Sequence, residues 1–249
     1  MKYAWTMVLV LSALLAHAQT EGTIHYTEVR KLNFNGGNIP EEMLANLPKE
    51  RTTHSELLFN EKGSLFRNAQ DEEPQNFEHS TSSGGGEMQL QIKMATPENI
   101  LYRNLAKETT VQQLEWMGER FLLSGNPDVA WKVTTEQRVI AGYPCMKATA
   151  ERDSSTVEAW FTPQIPVSTG PDIYGGLPGL ILELVMDEGN RRITATEITL
   201  APLEEKLKEP RRGQKMTRAD FEVFQAEKLE EMKAMRGEGG AVFIIREEG

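Results

Sequence analysis

Between residues 88 and 200 the chain is broken about every ten residues by Gly, Asn, Asp or Pro, and the stretches between the breaks alternate apolar and polar side chains. Candidate strands lie at 88–94, 99–105, 110–116, 119–124, 129–140, 143–151, 156–162, 179–186 and 191–200. Helical spacing is weak over the same span. Many short strands at such intervals imply an antiparallel sheet that curls or closes. Upstream, Ile24 and Tyr26 alternate with polar neighbours in a first strand at 22–29, and residues 39–44 read as a short helix with Pro40 in its first turn. Strands at 52–59 and 64–67 flank Asn60-Glu61-Lys62-Gly63, a hairpin turn ending in glycine. The predicted fold class is mostly β: a curved antiparallel sheet or half-barrel with a C-terminal helix packed on it.

Two stretches depart from this rhythm. Residues 69–87 hold Asp71-Glu72-Glu73-Pro74 and then Ser80-Thr81-Ser82-Ser83-Gly84-Gly85-Gly86, with Phe77 as the one large apolar side chain, and read as a flexible loop. At 217–236 the period becomes helical. Thr217-Arg218-Ala219-Asp220 resembles an N-terminal capping signal. Phe221, Phe224, Met232 and Met235 then fall within roughly 80° on a helical wheel. Gly237, Gly239 and Gly240 end the helix, and 241–246 reads as a last strand. The helix is expected across the concave side of the sheet or at one end of it.

Two hairpins carry most of the information about a site. A turn at Asp153-Ser154 pairs Arg152 with Ser155, so Met146, Ala148 and Ala150 share a face with Val157, Ala159 and Phe161. Lys147 then lies opposite Trp160, in reach of a cation–π contact. Trp160 is a candidate for lining a ligand groove, against the plainer role of covering the sheet. In the second hairpin Leu180, Leu182, Leu184 and Met186 take one face, and Ile181, Glu183 and Val185 the other. A strand apolar on both faces is buried on both, and Glu183 inside it requires a partner. With Asp187–Asn190 as the turn, that partner is Thr194 opposite or Arg192 on the diagonal. Glu183 is a second groove candidate; Tyr174, ahead of the hairpin, and Cys145, the single cysteine, complete the set.

The start of the second hairpin reads Gly176-Leu177-Pro178-Gly179-Leu180-Ile181. This run, with Ile140-Ala141-Gly142-Tyr143-Pro144-Cys145-Met146-Lys147-Ala148 and Trp160-Phe161-Thr162-Pro163 upstream, resembles the GLPGLI family of Gram-negative envelope proteins. The resemblance spans nearly the whole chain after the N-terminal leader. It implies an exported, β-rich layout with a Met-containing C-terminal helix, and brings no reaction and no catalytic residues with it. The six motif residues have an architectural explanation. Gly175-Gly176 can take positive φ and turn the chain sharply, Pro178 pushes Leu177 toward extended geometry, and Gly179 admits a close neighbour. A phosphate cradle is disfavoured, because no Lys-Ser/Thr follows the glycines.

The N-terminus sets an expectation about location. Met1-Lys2 is followed by an apolar run at 4–15 and then Ala16-His17-Ala18, the pattern of a signal peptide at 1–18, leaving a single β-rich domain at 19–249. The run is short of the roughly 20 residues a spanning helix needs. The periplasm is the expected destination, with secretion as the variant. With 27 basic and 37 acidic residues the net charge is −10, and −11 once Lys2 leaves with the leader. Such a chain repels phosphate backbones, so nucleic acid is not an expected partner. No second stretch is long and apolar enough to span a bilayer, so an integral membrane protein is not expected.

Marks of reaction chemistry are few in the chain. His25, His54 and His79 have no metal-ligand spacing. Met232 and Met235 share a helix face that could suit a soft metal, but thioethers also fill cores. Cys145 has no histidine base in local sequence, and no acidic pair is marked for glycoside chemistry. No cofactor and no catalytic residue are assigned, and the chain is read as a non-enzyme. The leading expectation is a binding or accessory protein whose apolar concave groove, lined by Leu, Met and aromatic side chains, serves a lipid, a peptide or an outer-membrane protein. A metal-handling envelope protein is the alternative, and an enzyme of unrecognised type the third.

Overall fold

The computed structural model describes residues 20–33, 46–69, 75–83, 86–94, 96–127, 129–152 and 155–236, with 75–83 and 86–94 as backbone only. The expected leader, the helix at 39–44 and the strand at 241–246 lie outside these residues. Twelve strands form one mixed sheet that does not close into a barrel. They are β1 (Gly22–Lys31), β2 (Glu50–Asn60), β3 (Gly63–Asn68), β6 (Asn99–Asn104), β7 (Thr109–Trp116), β8 (Glu119–Ser124), β9 (Lys132–Ile140), β10 (Tyr143–Arg152), β11 (Ser155–Thr162), β12 (Leu180–Met186), β13 (Arg191–Thr199) and β14 (Gln214–Thr217). Across the sheet the order is β14-β8-β7-β6-β3-β2-β1-β13-β12-β11-β10-β9. Every pairing is antiparallel except β14 on β8. The curved, mostly β fold expected from the turn rhythm is therefore present, with helix α1 (Arg218–Arg236) at its C-terminal end.

The turns follow local chemistry. Asn60 Oδ1 accepts the Lys62 and Gly63 N–H groups at 2.9 and 3.1 Å, which fixes the β2–β3 hairpin. The β10–β11 register pairs Arg152 with Ser155, Ala148 with Ala159 and Lys147 with Trp160, as the alternation requires. Thr217 caps α1: its hydroxyl accepts the Asp220 N–H at 3.1 Å and bonds the Asp220 carboxylate at 2.6 Å.

The reading of 69–87 as a loop is corrected over its described part, 75–83 and 86–87; residues 70–74, 84 and 85 lie outside the described residues. Strand β4 (Gln75–Ser83) pairs with β5 (Gly86–Met94) as a separate two-stranded hairpin, with Phe77 opposite Ile92 and Ser83 opposite Gly86. A backbone ladder needs no aliphatic side chains in both strands. The alternation of Met88, Leu90, Ile92 and Met94 marks β5, and a Ser-rich partner can pair with it.

The main core lies on one face of the sheet. Ile24, Tyr26, Leu57, Phe59, Phe66, Leu101, Leu184 and Ile193 project into it from strands across the sheet. A second, smaller cluster joins α1 to the sheet end: Phe221 and Phe224 pack on Phe121 at 4.9 and 5.7 Å between ring centroids, and on Trp116 at 5.9 and 5.7 Å. Burying such aromatics is worth several kcal/mol in total, on the order of 2–3 each. That is enough to dock a helix whose remaining surface is mostly polar, with Val223 exposed.

Candidate functional site

The connection between β11 and β12, residues 163–179, has no regular secondary structure and is nonetheless largely buried. Ile165, Val167, Thr169, Tyr174 and Leu177 are each no more than 3% exposed. Buried backbone needs partners, and this segment finds them. Leu180 N–H donates to Ile165 O and Ile181 N–H to Thr169 O, both at 3.0 Å, while the Thr169 and Ser64 hydroxyls share a 2.7 Å bond. Tyr26 donates its hydroxyl to Ile181 O at 2.6 Å. The segment is an inner plug, bonded to β12 on one side and reaching β3 on the other.

The six-residue motif closes this plug. Gly179 has φ of +153°, and a Cβ there would fall 2.2 Å from Thr162 O, so only glycine fits against the end of β11. Gly176 has φ of +85° and open space where a side chain would stand. Leu177 is buried, Gly179 N–H turns back to Leu177 O at 2.8 Å across Pro178, and Leu180 and Ile181 enter β12 fully buried. The motif's conformational role, read from its glycines and proline, is thereby accounted for.

Of the four groove candidates, three gather elsewhere. Trp160 and Glu183 are paired across β11 and β12, in a row that runs Lys147–Trp160–Glu183–Thr194. Glu183 is 5% exposed and forms ion pairs with Arg138 and Arg192, with Thr194 Oγ1 at 3.4 Å. Arg138 also lies 3.9 Å over the Trp160 ring, and Lys147 Nζ lies 6.0 Å from it. Cys145 pairs with Arg138 across the β9–β10 ladder and is 1% exposed. Burial pushes its thiol up to about 11, with Glu183 adding to the rise. Arg138 thus joins Glu183 and Trp160 in one cluster, with its Nε buried and without a hydrogen-bond partner among the described residues, and none of the three candidates lines the groove.

Tyr174 does. It leaves the plug to line a groove of about 700 Å³ between the concave sheet face and α1. Phe66, Leu114, Trp116, Leu123, Phe221 and Leu229 supply apolar wall, but Glu28, Arg30, Arg51, Arg152, Asp172, Arg191 and Arg218 supply as much polar wall. A continuous Leu, Met and aromatic lining was expected; the plug takes that apolar surface, and charge lines what is left. Arg191 holds the polar end together, donating to Glu28 at 2.9 and 3.1 Å and to Asp172 at 3.0 Å. Burial works to raise the Glu28 carboxyl, but Arg191 and Arg30 together hold it below the usual carboxylate range. Arg152 reaches from the end of β10 to Glu222 on α1 at 3.1 Å, tying the helix across the groove. Burial, then the Asp172 charge, raises the Tyr174 phenol. Among the described residues no three His, Cys, Asp or Glu side chains converge to hold a metal, and Met232 is half-buried on α1. No described helix is long and apolar enough to cross a membrane.

Sequence reasoning missed Arg191, Asp172, Arg218 and Arg103, a half-buried arginine of β6 beside the plug. Each comes from a different element, and an arginine in an alternating strand carries no mark of which face it takes until the register is known.

Residues 149–183 match the family model described as a protein of unknown function, Porph_ging. The matched stretch runs from β10 through the plug into β12. No curated protein matches the chain. Among solved structures, PNGF-II in the P21 space group aligns with a TM-score of 0.54 and 18% identity over 82% of this chain and 32% of that one. In the C2 space group it aligns with a TM-score of 0.52 and 18% identity over 81% and 32%. The chain thus spans about a third of the length of PNGF-II, and at this identity the likeness shows a shared fold.

Proposed function

We propose that this chain is an exported member of the GLPGLI family, a periplasmic binding or accessory protein that works by binding rather than catalysis, with its ligand in the groove beneath α1. The observation that carries the reading is the groove itself, about 700 Å³ and walled by both sheet and helix, a size that suits ligand sites. The family and location rest on Gly176-Leu177-Pro178-Gly179-Leu180-Ile181 and on the leader pattern at 1–18. Among the expected partners, a peptide or a segment of an outer-membrane protein fits better than a lipid. An acyl chain would need a continuous apolar lining, whereas alternating apolar and charged wall suits a backbone with side chains. Native mass spectrometry of protein purified from the periplasm, with peptide and lipid extraction in parallel, tests this. A co-purifying peptide or protein segment that disappears in Ala226→Trp, which fills the groove from α1, is the expected result. Protein that carries no small molecule or partner in either extraction would overturn the reading.

A further inference from the structure

A second cavity, of about 710 Å³, opens where the plug meets β6, and it is lined by Arg103, Asn104, Asn126, Gly175 and Gly176 among others. Arg103 is unusual there. Its Nη2 donates to Ile173 O at 2.9 Å, its Nε is buried without a partner, and no carboxylate pairs with it among the described residues. Buried charges are ordinarily paired. The surrounding backbone is shaped to accept the guanidinium: a Cβ on Gly175 would fall 3.0 Å from Arg103 Cζ and 3.2 Å from Nη2. Trp131 Nε1 donates to Gly175 O at 2.8 Å and its ring packs on Tyr174 at 6.1 Å. In a planar trans peptide the next N–H points opposite to that carbonyl, so Trp131 fixes the direction of the Gly176 N–H. Neither the Gly175 nor the Gly176 N–H donates to a described residue.

We propose that this cavity is a binding site for a single oxyanion, a carboxylate or a phosphate, held by the Arg103 guanidinium and the N–H groups of Gly175 and Gly176. Guanidinium forks and free backbone N–H groups are the donors that such anions select. Burial, with the Arg218 charge adding to it, lowers Arg103 to about 10, so it stays cationic at neutral pH and an arriving anion would relieve its isolation. Glu61 and Glu108 on the lining make the cavity unfavourable to a ligand of high negative charge and favour one anionic group on an otherwise neutral or zwitterionic molecule. The site is distinct from the groove under α1 and does not depend on it.

The test is amide NMR of the folded chain titrated with sodium phosphate, sodium acetate or sodium chloride at constant ionic strength. Saturable shifts of the Gly175 and Gly176 amides and of Arg103 Nε–H are expected by about 10 mM of phosphate or acetate, where a millimolar site is largely filled, and not with chloride. A response to phosphate alone or to acetate alone supports the site and assigns its anion. Arg103→Met should weaken binding at least tenfold while amide dispersion stays intact, and Glu108→Gln should tighten it about twofold through relief of a like charge. No saturable shift with either anion, or the same shifts undiminished in Arg103→Met, would overturn the proposal.

Discussion

Replacing Arg103 with methionine should make the protein more stable. Lowering the guanidinium to about 10 means that the folded protein disfavours its charged form by about 3 kcal/mol relative to the unfolded chain. Methionine removes that term and keeps most of the volume. It forfeits the bond to Ile173 O, worth about 1 kcal/mol net. The balance is about 1–2 kcal/mol in favour of the variant, or a rise in Tm of roughly 2–6 °C for a chain of this size. The pH dependence gives a second handle. Below about pH 10 the arginine is protonated in both states and the penalty is fully present. Above it the folded state releases the proton while the unfolded state retains it, so wild-type stability climbs relative to the variant and the difference narrows. Urea unfolding of both proteins at pH 7 and pH 10.5, in a buffer free of phosphate and carboxylates, measures both effects. A variant less stable than wild type by 1 kcal/mol or more at pH 7 would refute the reasoning, because it would show that Arg103 is a well-satisfied structural cation.

Cys145 in the native protein should react with an aromatic disulfide reagent at least a hundredfold more slowly than after unfolding in guanidinium, since its thiol is buried and raised to about 11; comparable rates would contradict the packing of β9 against β10. Gly179→Ala should lower stability by more than about 3 kcal/mol or abolish soluble expression, because its Cβ would overlap Thr162 O, whereas Gly176→Ala, into open space at positive φ, should cost only about 1 kcal/mol by urea unfolding. Glu28→Gln leaves Arg191 with Asp172 alone and should cost about 3 kcal/mol at pH 7. Because Glu28 is held low in the folded state, its contribution is complete above the ordinary glutamate value of about 4.3 and fades as pH falls below it. The gap between wild type and Glu28→Gln should therefore shrink between about pH 5 and pH 2, and a constant gap would exclude the ion pair as its source.

Local rules carried the sheet a long way. Turn residues read at Asp153-Ser154 and Asp187–Asn190 set hairpin registers in the sequence, and those registers alone placed Lys147 against Trp160 and Glu183 against Thr194. The partner foreseen for Glu183 on the diagonal, Arg192, is present, and Arg138 joins it from β9, three strands along the sheet beyond β11 and β10. What stayed hidden has a common cause. Residues 163–179 alternate buried and less buried side chains over 165–169 but not throughout, and beyond that each buried side chain follows the shape of a surface already built by other strands. The parallel pairing of β14 with β8 joins residues about ninety positions apart with no local signal. The groove and the Arg103 cavity depend on which way the sheet curves, and alternation is the same on a sheet bent either way.

The strand order divides into two runs that meet at one seam. From β14 and β8 to β2 and β1 the strands come from the first half of the chain apart from β14, and from β13 to β9 they come from the second. Apart from β14 on β8, neighbours within each run are near in sequence and can pair as they emerge. The seam of β1 on β13 joins residues 22–31 to 191–199, so β1 presents an open hydrogen-bonding edge until nearly two hundred residues have been delivered. An unpaired edge of ten residues is a template for any other extended chain. A chain stopped before residue 191 would hold that edge open permanently, and the last antiparallel pair to form is the one that ends its exposure to aggregation.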